Sequence, residues 1–127
     1  SELALRQQTE QLRQQLLLEL EQGRRWLLTL DRIIEAGQDD IGPAVASAQR
    51  DLGAALASAT DIGRGESARQ LESVLQRLGT LEGDIAQRNP SIARRQLLYA
   101  YDELNSAYLQ SVDPAAWPAV VTPRSGE

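Results

Sequence analysis

Chemistry in this chain would have to come from carboxylates, arginines or a few hydroxyls, because the residues that usually carry it are missing. The 127-residue sequence has no His, no Cys and no Lys. A catalytic nucleophile needs an adjacent base, so the usual triads and Schiff bases have no members here. A Ser–carboxylate arrangement would need a pocket that no spacing in the sequence defines. The acidic candidates are Glu35, Asp39 and Asp40 in one cluster, and Glu10, Glu19 and Glu21 along one segment. Carboxylates project inward in di-iron bundles, but there they work with Glu-x-x-His pairs. Here they fall mostly off the apolar stripes, so a solvated surface role is expected, with no catalytic residue, metal site or cofactor. Asp39-Asp40 leaves a weak cation site open. Gly63-Arg64-Gly65 is too short to cradle a phosphate and reads as a turn.

The residues suited to recognition are paired cations and off-stripe aromatics. Arg24-Arg25 and Arg94-Arg95 are candidate partner-binding residues, since the planar guanidinium binds carboxylates in a fork and is favoured at interfaces. The competing reading is ordinary surface charge beside acids such as Glu21. Tyr99 falls on the opposite side of its helix from Leu97 and Tyr101 by the 100° step, next to Arg95. It is a candidate anchor. Trp26, beside Arg25, is a second; packing at the edge of the core is the alternative for both. Tyr101 and Tyr108 read as core residues whose hydroxyls reach the surface.

These side chains need a scaffold, and composition bounds it. The length suits one domain with a core of its own. All 13 cations are Arg, set against 18 carboxylates, for a net charge of −5. That balance argues against non-specific nucleic-acid binding and against a polybasic membrane anchor. No apolar run approaches the roughly 18–20 residues of a membrane span. Without Cys, the redox compartment stays open between cytosol, periplasm and thylakoid lumen. The opening SELALRQQ is neither a signal peptide nor an initiator-Met start, so an upstream targeting or anchoring segment is a further expectation.

Four helices are predicted. Residues 1–36 are Pro-free, with apolar residues at Leu5, Leu12, Leu16, Leu20, Leu27, Leu30 and Ile34. The polar first third is expected to overhang or fray, and Gly37 to end the helix. Asp39 or Asp40 should cap the second helix, with Pro43 in its first turn. Its stripe is Ile41, Val45, Ala48, Leu52, Leu56, Ala59 and Ile62, and its many flanking Ala and Gly residues predict a central position. The third helix carries Ala68, Leu71, Leu75, Leu78 and Ile85, widened by Val74 and Leu81. Gly79 and Gly83 suggest close packing or a soft last turn. Asn89-Pro90 restarts the chain as cap and first helical residue. The fourth helix follows to about Ser111, with Ala93, Leu97, Tyr101, Leu104 and Tyr108. Short joins favour antiparallel neighbours, hence an all-α, up-down-up-down four-helix bundle over residues 1–112. Two hairpins that complete their core only in a dimer are the alternative. Residues 113–127 read as a Pro-containing extended tail, tacked down by Trp117 and Val120-Val121.

One stretch carries a family likeness. From Leu75 to Pro114 the chain reads Leu78, Leu81, Glu82, Gln87, Asn89, Pro90, Ala93, Tyr101, Asp102, Tyr108, Leu109, Gln110 and Pro114: spaced leucines with an acid, a Gln-x-Asn-Pro junction, then an aromatic-Asp and a closing aromatic-Leu-Gln before Pro. This resembles the PsbQ-type extrinsic proteins of photosystem II, above all their cyanobacterial branch, CyanoQ. The resemblance implies a four-helix bundle in the thylakoid lumen. It implies a peripheral membrane attachment through a lipidated Cys upstream of Ser1. The role implied is non-catalytic: docking on lumenal subunits of photosystem II and stabilising the oxygen-evolving machinery with its calcium and chloride. No binding residue of the family maps onto this chain. A helical-bundle adaptor or chaperone of a bacterial envelope or secretion system is the competing expectation.

Overall fold

The computed structural model describes residues 1–112; the expected tail, with Trp117 and Val120-Val121, lies outside the described residues. The chain is an all-α four-helix bundle: α1 is Glu2–Glu35, α2 Gly42–Asp61, α3 Gly65–Ala86 and α4 Pro90–Val112. Each helix packs on the helix before and after it, and α4 closes on α1, with no close approach across either diagonal. The core is thus completed within one chain rather than between two hairpins of a dimer. The square arrangement also corrects the expected central place of α2. Its small residues serve both sides: Ala48, Ala55 and Ala59 are buried, while Ala46, Ala54 and Ala57 face out.

Apart from Glu19 and Ala68, the buried positions of the four helices obey a seven-residue repeat. In α1 they are Leu16, Gly23 and Leu30, alternating with Leu20, Leu27 and Ile34. In α2 they are Ile41, Ala48, Ala55 and Ile62, with Val45, Leu52 and Ala59 between. Val74 and Leu81 alternate with Leu71 and Leu78 in α3, and Ala93, Ala100 and Ala107 with Leu97 and Leu104 in α4. A repeat of seven stays in register only if helices of 3.6 residues per turn coil left-handedly about one another. It also decides the near-misses of the periodic reading. Ala55, not Leu56, takes the buried α2 position; Val74 and Leu81 are fully buried where Leu75 and Ile85 are half-buried. In α4 the seam is filled by Ala100 and Ala107, which leaves Tyr101 and Tyr108 half-buried at its edge. Leu5 is exposed and Leu12 half-buried, because α1 has 34 residues against 20, 22 and 23 in its neighbours. The first turns of α1 therefore run past the bundle, as expected of an overhang.

Turn chemistry fixes the joins. The first three helices end alike, with two backbone N–H groups reaching back to the last turn. Gly37 N donates to Ile34 O (3.0 Å) and Gln38 N to Ile33 O (3.3 Å). Gly63 N donates to Thr60 O and Arg64 N to Ala59 O; Arg88 N donates to Ile85 O and Asn89 N to Asp84 O. The pivots have φ of 79°, 77° and 60°. Glycine suits the first two; the third is Arg88, which carries the steric cost of a left-handed backbone. Neither Asp39 nor Asp40 caps α2. The cap is Ile41, with no side-chain bond, and Asp39 contributes its carbonyl to Ile41 N instead. Burial of the Ile41 side chain, 1% exposed, holds that position. Gly79 and Gly83 face open space, so neither marks a close helix contact.

Gly23, which the periodic reading passed over, is the glycine with the least room around it. A β-carbon there would overlap Leu52 Cδ2 and come within 3.2 Å of Leu52 Cγ and Leu104 Cδ2. Leu52 and Leu104 are themselves fully buried, so any shift of their ends must be made within the packed core. Gly23→Ala should lower unfolding stability by about 1–3 kcal/mol through overpacking, although Ala is the better helix former by about 1 kcal/mol. Leu52→Ala alone should cost about 2–5 kcal/mol, and in that background Gly23→Ala should become neutral or stabilising. Denaturant unfolding of the four proteins checks this; a Gly23→Ala protein more stable than wild type contradicts the packing. Arg88→Gly should raise stability by about 1 kcal/mol, the relief of a left-handed residue less the entropy that Gly adds to the unfolded chain. An unchanged or lower urea midpoint would refute that geometry.

Candidate functional site

Three of the six residues singled out for recognition, Arg24, Arg94 and Arg95, lie along the α1–α4 edge. Helix α4 presents Arg94 and Arg95, while α1 presents Arg24, Arg25 and Asp31. The Arg94 guanidinium grips Asp31 with two bonds, Nε to Oδ1 at 2.9 Å and Nη2 to Oδ2 at 3.3 Å, and reaches Glu35 at 3.7 Å. The hydrogen bond and charge of Asp31 raise its pKa further above the ordinary arginine value. Arg24 is held as firmly. It donates to Asn105 Oδ1 (3.0 Å) and Glu21 (3.2 Å), and its guanidinium lies 3.9 Å from the centre of the Tyr108 ring. Both are cross-helix ties, with little freedom to serve a partner.

The other four candidates divide in the same way. Trp26 is half-buried, and its indole N–H donates to Asp51 of α2 at 2.6 Å. It joins two helices. Arg25 is exposed, and among the described residues its one ion pair is with Glu21 at 3.6 Å. Arg95 is exposed and makes no ion pair or hydrogen bond among the described residues. Tyr99 is 47% exposed on the other flank of α4, with Arg77 of α3 over its ring at 5.2 Å and Arg77 itself bound to Glu103 and Gln96. The six candidates therefore do not form one site. Arg94 and Arg95 border a groove between α1 and α4; Arg24, Trp26 and Tyr99 serve three different helix edges.

That groove encloses about 630 Å³ and is floored by Leu27 and Leu97 and walled by Leu28, Leu98 and Tyr101. Leu28 is 46% exposed and Leu98 59%. Leu98, with Arg95 beside it, is among the most exposed apolar side chains of the described residues. The sequence reading missed both leucines. Their signal was available: each sits off its helix's seam. The pairing of Arg94 with Asp31, 63 residues apart in the chain, left none. A larger concavity of about 1050 Å³ lies at the end of the bundle between the α1–α2 and α3–α4 joins, lined by Ile41, Ile85, Glu82, Asp39 and Arg88 among others. Its charges are mixed, and among the described residues no three carboxylates gather in a group that could hold a metal ion. Asp39 and Asp40 are exposed. None of the described helices is long and apolar enough to cross a membrane.

Fold and surface define a helical bundle with a filled interior and an apolar, cation-edged groove. Compared with protein-family models, characterised proteins and solved structures, the chain matches none.

At the far end of the same edge, Arg13 donates to the Val112 carbonyl (3.2 Å) while its other nitrogens bind Glu10. Hydrogen bonds from Arg13 hold the Glu10 carboxyl below the ordinary glutamate value. A carboxyl lowered on folding stabilises the fold above its unfolded pKa, and that contribution disappears as pH falls through the lowered value. An NMR titration should put the Glu10 midpoint below that of an unperturbed glutamate, and Arg13→Gln should return it to normal. A normal midpoint in the wild type would dismiss the pair.

Proposed function

We propose that this protein is a non-catalytic docking subunit that binds a larger assembly through its α1–α4 face. The observation that carries this is where apolar surface has been left. Side chains fill the seam between the helices, and the one buried carboxylate among the described residues, Glu19, is bonded to Ser58 and Gln15. Leu28 and Leu98 instead stand in the open beside Arg95. Apolar anchors beside an unpaired arginine are the composition of a recognition surface rather than of a reaction site.

The residue likeness of the α3–α4 segment supports a particular assembly. On that reading the chain is an extrinsic lumenal subunit resembling CyanoQ, held at the thylakoid membrane by a lipid anchor upstream of Ser1. It docks on photosystem II and stabilises the oxygen-evolving complex. The bundle fold is consistent with this. Much of the likeness, including Leu78, Leu81 and Ala93, consists of core residues, so it speaks for architecture more than for contacts.

The test is binding of the purified protein to photosystem II-containing membranes and to photosystem-free bacterial envelopes. Wild type should bind the former. Arg95→Glu should weaken binding about 5- to 10-fold, as loss of a rim cation does, and change unfolding stability by less than about 0.5 kcal/mol, as for an exposed side chain. Retention by envelopes alone would favour an adaptor or chaperone. Undiminished binding by Arg95→Glu would remove Arg95 from the interface.

A further inference from the structure

The outward face of helix α4 carries a mixed stripe with two well-exposed leucines. Ser91, Arg95, Leu98, Asp102, Asn105, Leu109 and Val112 follow in alternating steps of four and three. All are exposed except Asn105, which is half-exposed; Leu98 and Leu109 are each 59% exposed. Nothing in the bundle requires this order, since the core is built on the other side of the helix. Three of its seven positions are apolar, Leu98, Leu109 and Val112, and the two leucines stand eleven residues apart on one face of the helix.

The stripe is complementary to itself when read backwards. In an antiparallel pair of α4 helices, the register that sets Leu98 against Leu109 of a second copy also sets Leu109 against Leu98. Between them, Asp102 meets Asn105 and Asn105 meets Asp102. Asn105 uses its Oδ1 to accept from Arg24, which leaves its amide nitrogen to donate across the pair. Asp102 makes no hydrogen bond or ion pair among the described residues and can accept it. Arg95 falls opposite Val112, against the negative end of the other helix's dipole. Two layers of leucine thus flank two layers of amide and carboxylate, about a two-fold axis.

Charge favours the same face. The chain bears −5 overall, and two copies repel through most approaches. Helix α4 is the neutral exception, with Arg94 and Arg95 balanced by Asp102 and Glu103. Leu28 of α1, exposed at the level of Leu98, adds apolar area beside the stripe. We infer that the outer face of α4 binds a second copy of this chain, antiparallel, with Leu98 packed on Leu109 in both directions. This goes beyond the docking reading and needs no other protein. Because Leu98 also walls the groove, self-association and partner docking exclude one another, and the dimer shields the face while it is free.

The experiment is sedimentation of the purified protein across concentration, with cross-linking. Wild type should pass from monomer to dimer by tens of micromolar. Leu98→Glu and Leu109→Glu, each folded by circular dichroism, should both weaken association by at least about 10-fold, a loss of about 1.4 kcal/mol. The absence of native Cys gives a clean register test. Leu98→Cys mixed with Leu109→Cys should form a disulfide-linked dimer under mild oxidation. Leu98→Cys alone should not, because its two copies stand about 16 Å apart along the helix axis. A wild type that stays monomeric, a dimer indifferent to either Glu substitution, or equal cross-linking by Leu98→Cys alone would overturn the inference. Binding to membranes plays no part in these readouts, so the docking reading stands or falls separately.

Discussion

The absence of one side chain sets the geometry of this bundle. At Gly23, α1 has no β-carbon, and Leu52 of α2 and Leu104 of α4 occupy the space from either side. Three helices therefore meet through two leucines and a notch. The same exchange of bulk recurs along the seam, where Ala100 and Ala107 of α4 alternate with Leu97 and Leu104. Packing of this kind is as dense as a crystal of small molecules, with few voids larger than a water molecule. It also explains why polar side chains cluster at the helix edges. Arg24 with Asn105, Arg94 with Asp31, Trp26 with Asp51 and Arg77 with Glu103 each join neighbouring helices beyond the reach of the apolar seam.

Much of this was legible in the sequence, because period and punctuation are local properties. Leucines at three- and four-residue steps, Gly37, Gly63 and Asn89-Pro90 were enough to draw four helices and the order in which they pack. The seven-residue repeat was equally present but hidden by alanine and glycine, which look like filler in a list of apolar residues. Position along that repeat, not bulk, decides burial: Ala55 is inside while Leu56 is at the edge. The same blindness sent α2 to the middle of the bundle, since small residues do not reveal which side they are on. The cap of α2 failed for a different reason. Burial of Ile41 outweighed the local preference for Asp at that place.

The surface was harder to read. Guanidinium groups chosen by type alone split into structural and available ones only when their partners came from other helices. Arg94 and Arg24 are occupied by residues 63 and 81 positions away. Arg95, one residue from Arg94, has no such partner among the described residues. A rotation of 100° separates a tie from a contact point. The exposed leucines follow the same logic. Leu98 lies one residue past Leu97, which is core, and that single step moves it from the seam to the outer face. A bundle that spends its interior on packing can act only through such positions, and both readings of its role given above rest on them.

Native-state amide exchange in α1, α2 and α4 tests the account at its root. If the Gly23 layer is a packed joint among three helices, the amides of Leu20, Leu52 and Leu104 should be released together, at the free energy of global unfolding. Separate, low-energy opening of any one of them would mean a loose or water-filled interior, and the claim that this protein works only from its outer faces would be lost.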